Sequence, residues 1–180
     1  KTIIFIKKQI LENIDINGFH KSYNPVYQAE YINNLIEIKN ILLYFKRRLI
    51  SELDYQIINM TSVLNNLFHK DSSLALFNGS HNMFQKNIFD ILKQNDDLKI
   101  KKLYKIKNGL AIYSDNDKKI FIDIVKPTNE NINKNLHSGT LGFEFSAKKE
   151  KIITNCGSIN KAYGNKPNYL RYSAAHSTII

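Results

Sequence analysis

The chain reads as an α+β protein, a helical half followed by an antiparallel β half. Two observations predict it. From Ile3 to about Phe68 the apolar residues recur every three or four positions, as in Ile6, Ile10, Ile14 and again Leu35, Ile38, Leu42, Phe45, which is the period of an amphipathic helix. After Asp71 the pattern changes to short apolar runs separated by turn residues, which is the signature of strands. An α half of residues 1–70 and a β half of residues 71–180 follow, and helices segregated from strands in this way define the α+β class.

The helical half divides at the stretch from Asp15 to Pro25, which holds Asn17-Gly18 and Asn24-Pro25. Here Asn24 is suited to cap the next helix, because its side-chain oxygen can accept free amides of the first turn. Pro25 suits the first helical position, where a missing N–H costs nothing. A second boundary at Lys46 to Glu52 offers Ser51 as the cap of a helix running to Leu67. In the β half, strands are expected at Leu74–Phe77, Lys101–Ile106, Leu110–Tyr113, Ile120–Val125, Leu141–Phe145, Ile152–Thr154 and from Tyr172 onward, with a helix at Ile88–Leu92. Asn108-Gly109 and Asp115-Asn116-Asp117 supply hairpin turns. No internal repeat is present.

With 180 residues and 43% hydrophobic content, the chain can bury a core and is not a disordered segment. Lys1 in place of Met, and a β-branched end at Ser177-Thr178-Ile179-Ile180, predict an internal piece of a longer protein. No run approaches the roughly 18 apolar residues that cross a bilayer. The single cysteine, Cys156, has no internal partner for a disulfide, so the redox compartment stays open. A net charge of +10 fits an anionic partner, namely nucleic acid, an acidic membrane surface or an acidic polysaccharide. It fits equally a composition rich in Lys, Asn and Ile throughout, with the lysines dispersed. Neither zinc-finger spacing, a basic region with heptads nor an RNA-recognition run is found, so nucleic acid has no motif behind it.

Five histidines are available for chemistry: His20, His69, His81, His137 and His176. His137 precedes a predicted strand, Asn155 ends another, and His176 lies in the terminal one. Side chains on separate strands of one sheet can converge, and two imidazoles with an oxygen donor suit zinc. Ordinary hydrogen-bonded histidines are the competing reading. Tyr27, in the first turn of the helix that Asn24 caps, faces whatever the preceding loop encloses; the alternative is a half-buried aromatic.

Four segments, in order, carry a family resemblance: Asn17-Gly18-Phe19-His20 through Ser22-Tyr23-Asn24-Pro25-Val26-Tyr27; Asp71-Ser72-Ser73-Leu74-Ala75-Leu76-Phe77-Asn78-Gly79; His137-Ser138-Gly139-Thr140-Leu141-Gly142-Phe143-Glu144; and Asn155-Cys156-Gly157 with Ala175-His176-Ser177-Thr178. Together they resemble the heparinase II/III family of polysaccharide lyases. The nearest likeness is to a bacterial branch bearing Ser-Arg-Asn-Pro, Leu-Phe-Asn-Gly and Asn-Cys-Gly. The resemblance implies that residues 1–70 are the end of an (α/α) toroid and residues 71–180 the N-terminal part of an antiparallel β-sandwich, with a cleft between them in which an anionic, uronate-containing polysaccharide is cut by β-elimination. Tyr27 matches the family's catalytic tyrosine, a proton donor, with His20 as a second catalytic candidate. Asn24, Asn135 and Arg171 become candidates for substrate binding, and His137, Asn155 and His176 for a structural zinc. A periplasmic or cell-envelope location is implied as well.

The chain departs from the family pattern at three positions. The zinc aspartate falls at Asn155, whose neutral amide is a weaker ligand. A histidine that serves some members as base falls at Asn135, and the acid that often precedes the proline falls at Ser22. A non-catalytic glycan-binding or cell-envelope protein of the same fold is therefore the alternative function. Oligomeric state is not encoded in any of these features.

Overall fold

The structure, a computed structural model, describes residues 2–47, 50–81, 109–126, 137, 139–158 and 169–178. Three helices come first: α1 (Thr2–Asn13), α2 (Pro25–Tyr44) and α3 (Ser51–Asn66). Four strands follow: β1 (Leu110–Ser114), β2 (Lys118–Asp123), β3 (Phe143–Ala147) and β4 (Glu150–Ile153). They form one antiparallel sheet in the order β1-β2-β3-β4, a meander in which each strand pairs with its successor. The α+β class is as the sequence predicts.

Local chemistry accounts for the element boundaries. Asn24 caps α2, its Oδ1 accepting the Val26 and Tyr27 amides at 2.8 and 3.1 Å, with Pro25 at the first helical position. The α3 cap differs from expectation. Ile50 holds that place without a side-chain bond, while the Ser51 hydroxyl turns to Glu52. Glu52 and Asp54 in the first turn offset the helix dipole and reach Lys7 of α1 and Lys39 of α2, each at 2.7 Å. Between β1 and β2 the expected turn forms, with Asp115 Oδ1 taking the amides of Asp117 and Lys118.

Two expected strands are not strands. Leu74–Phe77 makes a single bridge, Phe68 to Leu74, because its amides are satisfied elsewhere. Ala75 N–H goes to the Leu67 carbonyl and Leu76 N–H to the Glu144 carboxylate. The segment from Tyr172 forms 3₁₀ turns, Tyr169–Arg171 and Ser173–Ala175, closed by Ala175 N–H to Tyr172 and His176 N–H to Ser173. Expected elements at Lys101–Ile106 and Ile88–Leu92, and Asn108 of the first turn, lie outside the described residues.

One apolar core joins the halves. It runs from Ile10, Val26, Ile32, Leu53, Met60 and Leu64 of the helices through Phe68 and Phe77 to Leu110 and Phe121 of the sheet. The inner face of the sheet is not uniformly apolar. Lys119 and Asp123 flank Phe121 on β2, and Glu144 and Ser146 occupy the buried positions of β3. A charge placed there needs a partner, since desolvation without one costs several kcal/mol, about.

Candidate functional site

Tyr27 stands half-buried at the third position of α2, with its own amide held by Asn24. The loop before the helix places His20 against it, the rings meeting edge to face with centroids 6.3 Å apart. Tyr31, one turn further on, lies 5.2 Å from the same imidazole. Burial pushes the His20 pKa down to about 4, so the ring is neutral at physiological pH. Its Nδ1 accepts the Ser22 amide at 3.2 Å and lies 2.7 Å from the Ser22 hydroxyl, which leaves the ring proton on Nε2. The two candidate catalytic side chains are thus brought together.

Asn24 is buried at the start of α2. It is only 3% exposed, its Oδ1 accepting from Val26 and Tyr27 and its Nδ2 donating to the Asn78 carbonyl at 3.0 Å. It acts as a helix cap, and its burial leaves little surface to offer a ligand. Asn135 lies outside the described residues. Arg171 is exposed on the 3₁₀ turns, near enough to His137 for its charge to depress that pKa.

A second cluster forms on the sheet side. His137 and His176 face each other with ring centroids 5.4 Å apart. Burial, then the His176 and Arg171 charges, push the His137 pKa down to about 4, and burial lowers that of His176. His137 Nδ1 and His176 Nε2 are buried without a hydrogen-bond partner. Neutral imidazoles with unused buried nitrogens are what a metal would need. Asn155, buried two residues beyond β4, brings an amide oxygen that already accepts the Ser177 amide and hydroxyl, each at 3.2 Å. Small residues allow this approach, since a Cβ on Gly139 would stand 3.4 Å from the His176 ring. Among the described residues no three His, Cys, Asp or Glu side chains group closely enough to hold a metal ion. Chemically, two imidazoles and a neutral amide oxygen are two strong donors and one weak one.

A third group escaped the sequence reading. His69 and Glu144, both side chains fully buried, meet at 2.7 Å through Nε2 and Oε2. The same carboxylate accepts the amides of Leu76 at 3.2 Å and Asn155 at 2.9 Å and the Thr154 hydroxyl at 3.1 Å. His69 Nδ1 pairs with Ser146 at 2.9 Å. The signal was present in the sequence: an acid between two phenylalanines in an apolar strand must find donors inside the protein.

Residues 106–180 match the family model described as Heparinase II/III-like, C-terminal. No curated protein matches the sequence. Several solved structures share the fold. A heparinase III gene product superposes with a TM-score of 0.77 at 14% identity, covering 97% of this chain and 31% of that one. Heparan sulfate lyase HepC from Pedobacter heparinus gives 0.63 at 13% identity, with coverages of 87% and 29%. A crystal structure of heparinase III gives 0.66 at 10%, with 94% and 33%. The chain spans about a third of the length of these structures.

Proposed function

We propose that the chain, whose residues 106–180 match the Heparinase II/III-like, C-terminal family model, serves a polysaccharide lyase acting on an anionic, uronate-containing glycan. The observation that carries the reading is Tyr27, fixed at a capped helix start beside a neutral, buried imidazole and half open to solvent. In β-elimination the uronate carboxylate is neutralised by a polar group, which acidifies the C5 proton. That proton passes to a base of the cleft, the C4–O bond breaks as C4=C5 forms, and Tyr27 delivers its phenolic proton to the departing oxygen. His20, with Nδ1 taken by Ser22, orients the tyrosine and offers Nε2–H as a donor. Arg171 supplies positive charge for the glycan, as do the lysines behind the net charge of +10.

The zinc reading belongs to the same proposal. His137 and His176 would hold the ion, with Asn155 as the weak third ligand, and the ion would pin the segment around His176 to the sheet. Among the described residues no helix is long and apolar enough to cross a membrane. A periplasmic or cell-envelope site of action is proposed on family likeness.

The test is absorbance of unsaturated uronate products after incubating the intact protein with heparan, chondroitin, hyaluronan, alginate and bacterial uronate glycans. Product is expected from at least one of them. Tyr27→Phe is expected to abolish it with the unfolding midpoint unchanged, and retained turnover would remove Tyr27 from the mechanism. A second reading, glycan binding without cleavage, is favoured by the amide at Asn155 and by the engaged Nδ1 of His20. Binding with no product across the panel would establish it.

A further inference from the structure

The helix start that carries Tyr27 is tied to the sheet through one residue, Asn78. Asn24 Nδ2 donates to the Asn78 carbonyl at 3.0 Å, and Asn78 Nδ2 donates to the Tyr23 carbonyl at 3.2 Å. The two asparagines, 54 residues apart in sequence, therefore each bond the other's backbone segment. Tyr23 and Asn78 both adopt left-handed backbone angles, φ 50° and 53°. Residues other than glycine hold that conformation only where their surroundings impose it. On the far side, the Asn78 side chain also hydrogen-bonds Asp123, whose Oδ1 accepts the Val125 amide at 2.9 Å. An amide has two protons, so Nδ2 can serve the Tyr23 carbonyl and the Asp123 carboxylate together. Asn24, Asn78 and Asp123 are all buried, whereas Tyr27 at the end of the series is half exposed.

We propose that Asn78 and Asp123 are positioning residues for Tyr27: the β2 carboxylate orients the Asn78 amide, which fixes Tyr23 and Asn24, which in turn set the first turn of α2. The position of the phenol is then dictated from the sheet across the junction. Purely apolar packing at the junction would hold the two halves together without fixing the rotation of that turn. Directed hydrogen bonds fix it, and a proton donor misplaced by a fraction of an ångström loses rate.

This inference rests on the reading of Tyr27 as proton donor, and the experiment separates the two. The intact protein is labelled with 3-fluorotyrosine, and the Tyr27 fluorine line is assigned by its loss in Tyr27→Phe. Asn78→Ala is expected to shift that line and to lower kcat about tenfold or more with KM within about twofold. Ser80→Ala removes another buried bond of the same loop, Oγ to the Ala75 carbonyl at 3.1 Å, and is expected to leave the Tyr27 line in place. An unmoved line in Asn78→Ala overturns the proposal, as does an equal shift in Ser80→Ala. If Asn78→Ala does not fold, Asp123→Asn, which keeps size and an acceptor, is expected to give a smaller shift of the Tyr27 line, and no shift there overturns it equally. Absence of lyase activity in the unmodified protein would sink the functional reading alone, since the fluorine line still judges the positioning.

Discussion

Replacing Glu144 by alanine should be strongly destabilising. The carboxylate lies at zero exposure and accepts from His69, Leu76, Thr154 and Asn155. Its removal strands those donors, and the amides of Leu76 and Asn155 belong to buried residues. A buried donor left unpaired costs about 1–3 kcal/mol, and Glu144 serves four. These penalties overlap, so about 4 kcal/mol is the expected loss. Glu144→Gln keeps the shape and one acceptor but turns an NH₂ toward other donors, and about half that loss is expected. Urea denaturation followed by circular dichroism measures both, tyrosine being the only intrinsic fluorophore of consequence in a chain without tryptophan. A double-mutant cycle with His69→Ala should give a coupling of about 1–3 kcal/mol. A loss below about 1 kcal/mol for Glu144→Ala would refute the reasoning, because it would mean that the four donors find partners without the carboxylate.

Two further outcomes are expected. Restoring a charged third ligand with Asn155→Asp should raise zinc affinity by about tenfold or more, read by competition with a chromogenic chelator, and His176→Ala should abolish the gain; an unchanged affinity would argue against these three residues sharing an ion. Acid should destabilise the fold through His20 and His137, whose folded pKa values of about 4 lie below the ordinary histidine value. Their contribution is complete above pH 6.5 and is lost as pH falls toward 4, with about 2 kcal/mol from His20 after allowing for its partial exposure. Asp123 works the other way. Burial raises its pKa to about 6, so the stability it lends is present near pH 4 and lost as pH rises through 6. Denaturation midpoints at pH 7, 5.5 and 4.5 for the native protein and His20→Gln give the check, and a flat profile in both would refute the assignment of neutral, buried His20.

What could be read from the sequence was whatever depends on neighbours along the chain. The Asn24-Pro25 start of α2 and the Asp115 turn are written in two or three residues, and the 3.6-residue period of the helices repeats often enough to be unmistakable. Leu74–Phe77 failed for a definite reason. A short apolar run says that backbone is extended and buried, not whether its amides meet a neighbouring strand or, as at Leu76, a carboxylate 68 residues away. The terminal segment failed similarly, since Ala174 and Ala175 have no bulk to enforce pleating and the chain closes into 3₁₀ turns. At the candidate site, resemblance rather than spacing singled out His137 and His176, whose rings the fold brings together at a tilt. Asn24 carries two readings because the same amide chemistry that recognises a sugar also caps a helix. Only its burial and its bond to Asn78 distinguish the two.

The meander and the His69–Glu144 pair together say something about the order in which the protein assembles. Within the sheet, β1 with β2 and β3 with β4 are joined by turns of a few residues, so each hairpin can form on its own with little loss of chain entropy. His69 and Glu144 are 75 residues apart, and their hydrogen bond gains its strength only once water has left the space between the helices and the sheet. The pair is therefore a late-closing latch. Its disruption should fall mainly on the unfolding rate and leave the folding rate nearly untouched, so that the latch governs how long the native junction survives rather than how quickly it is found.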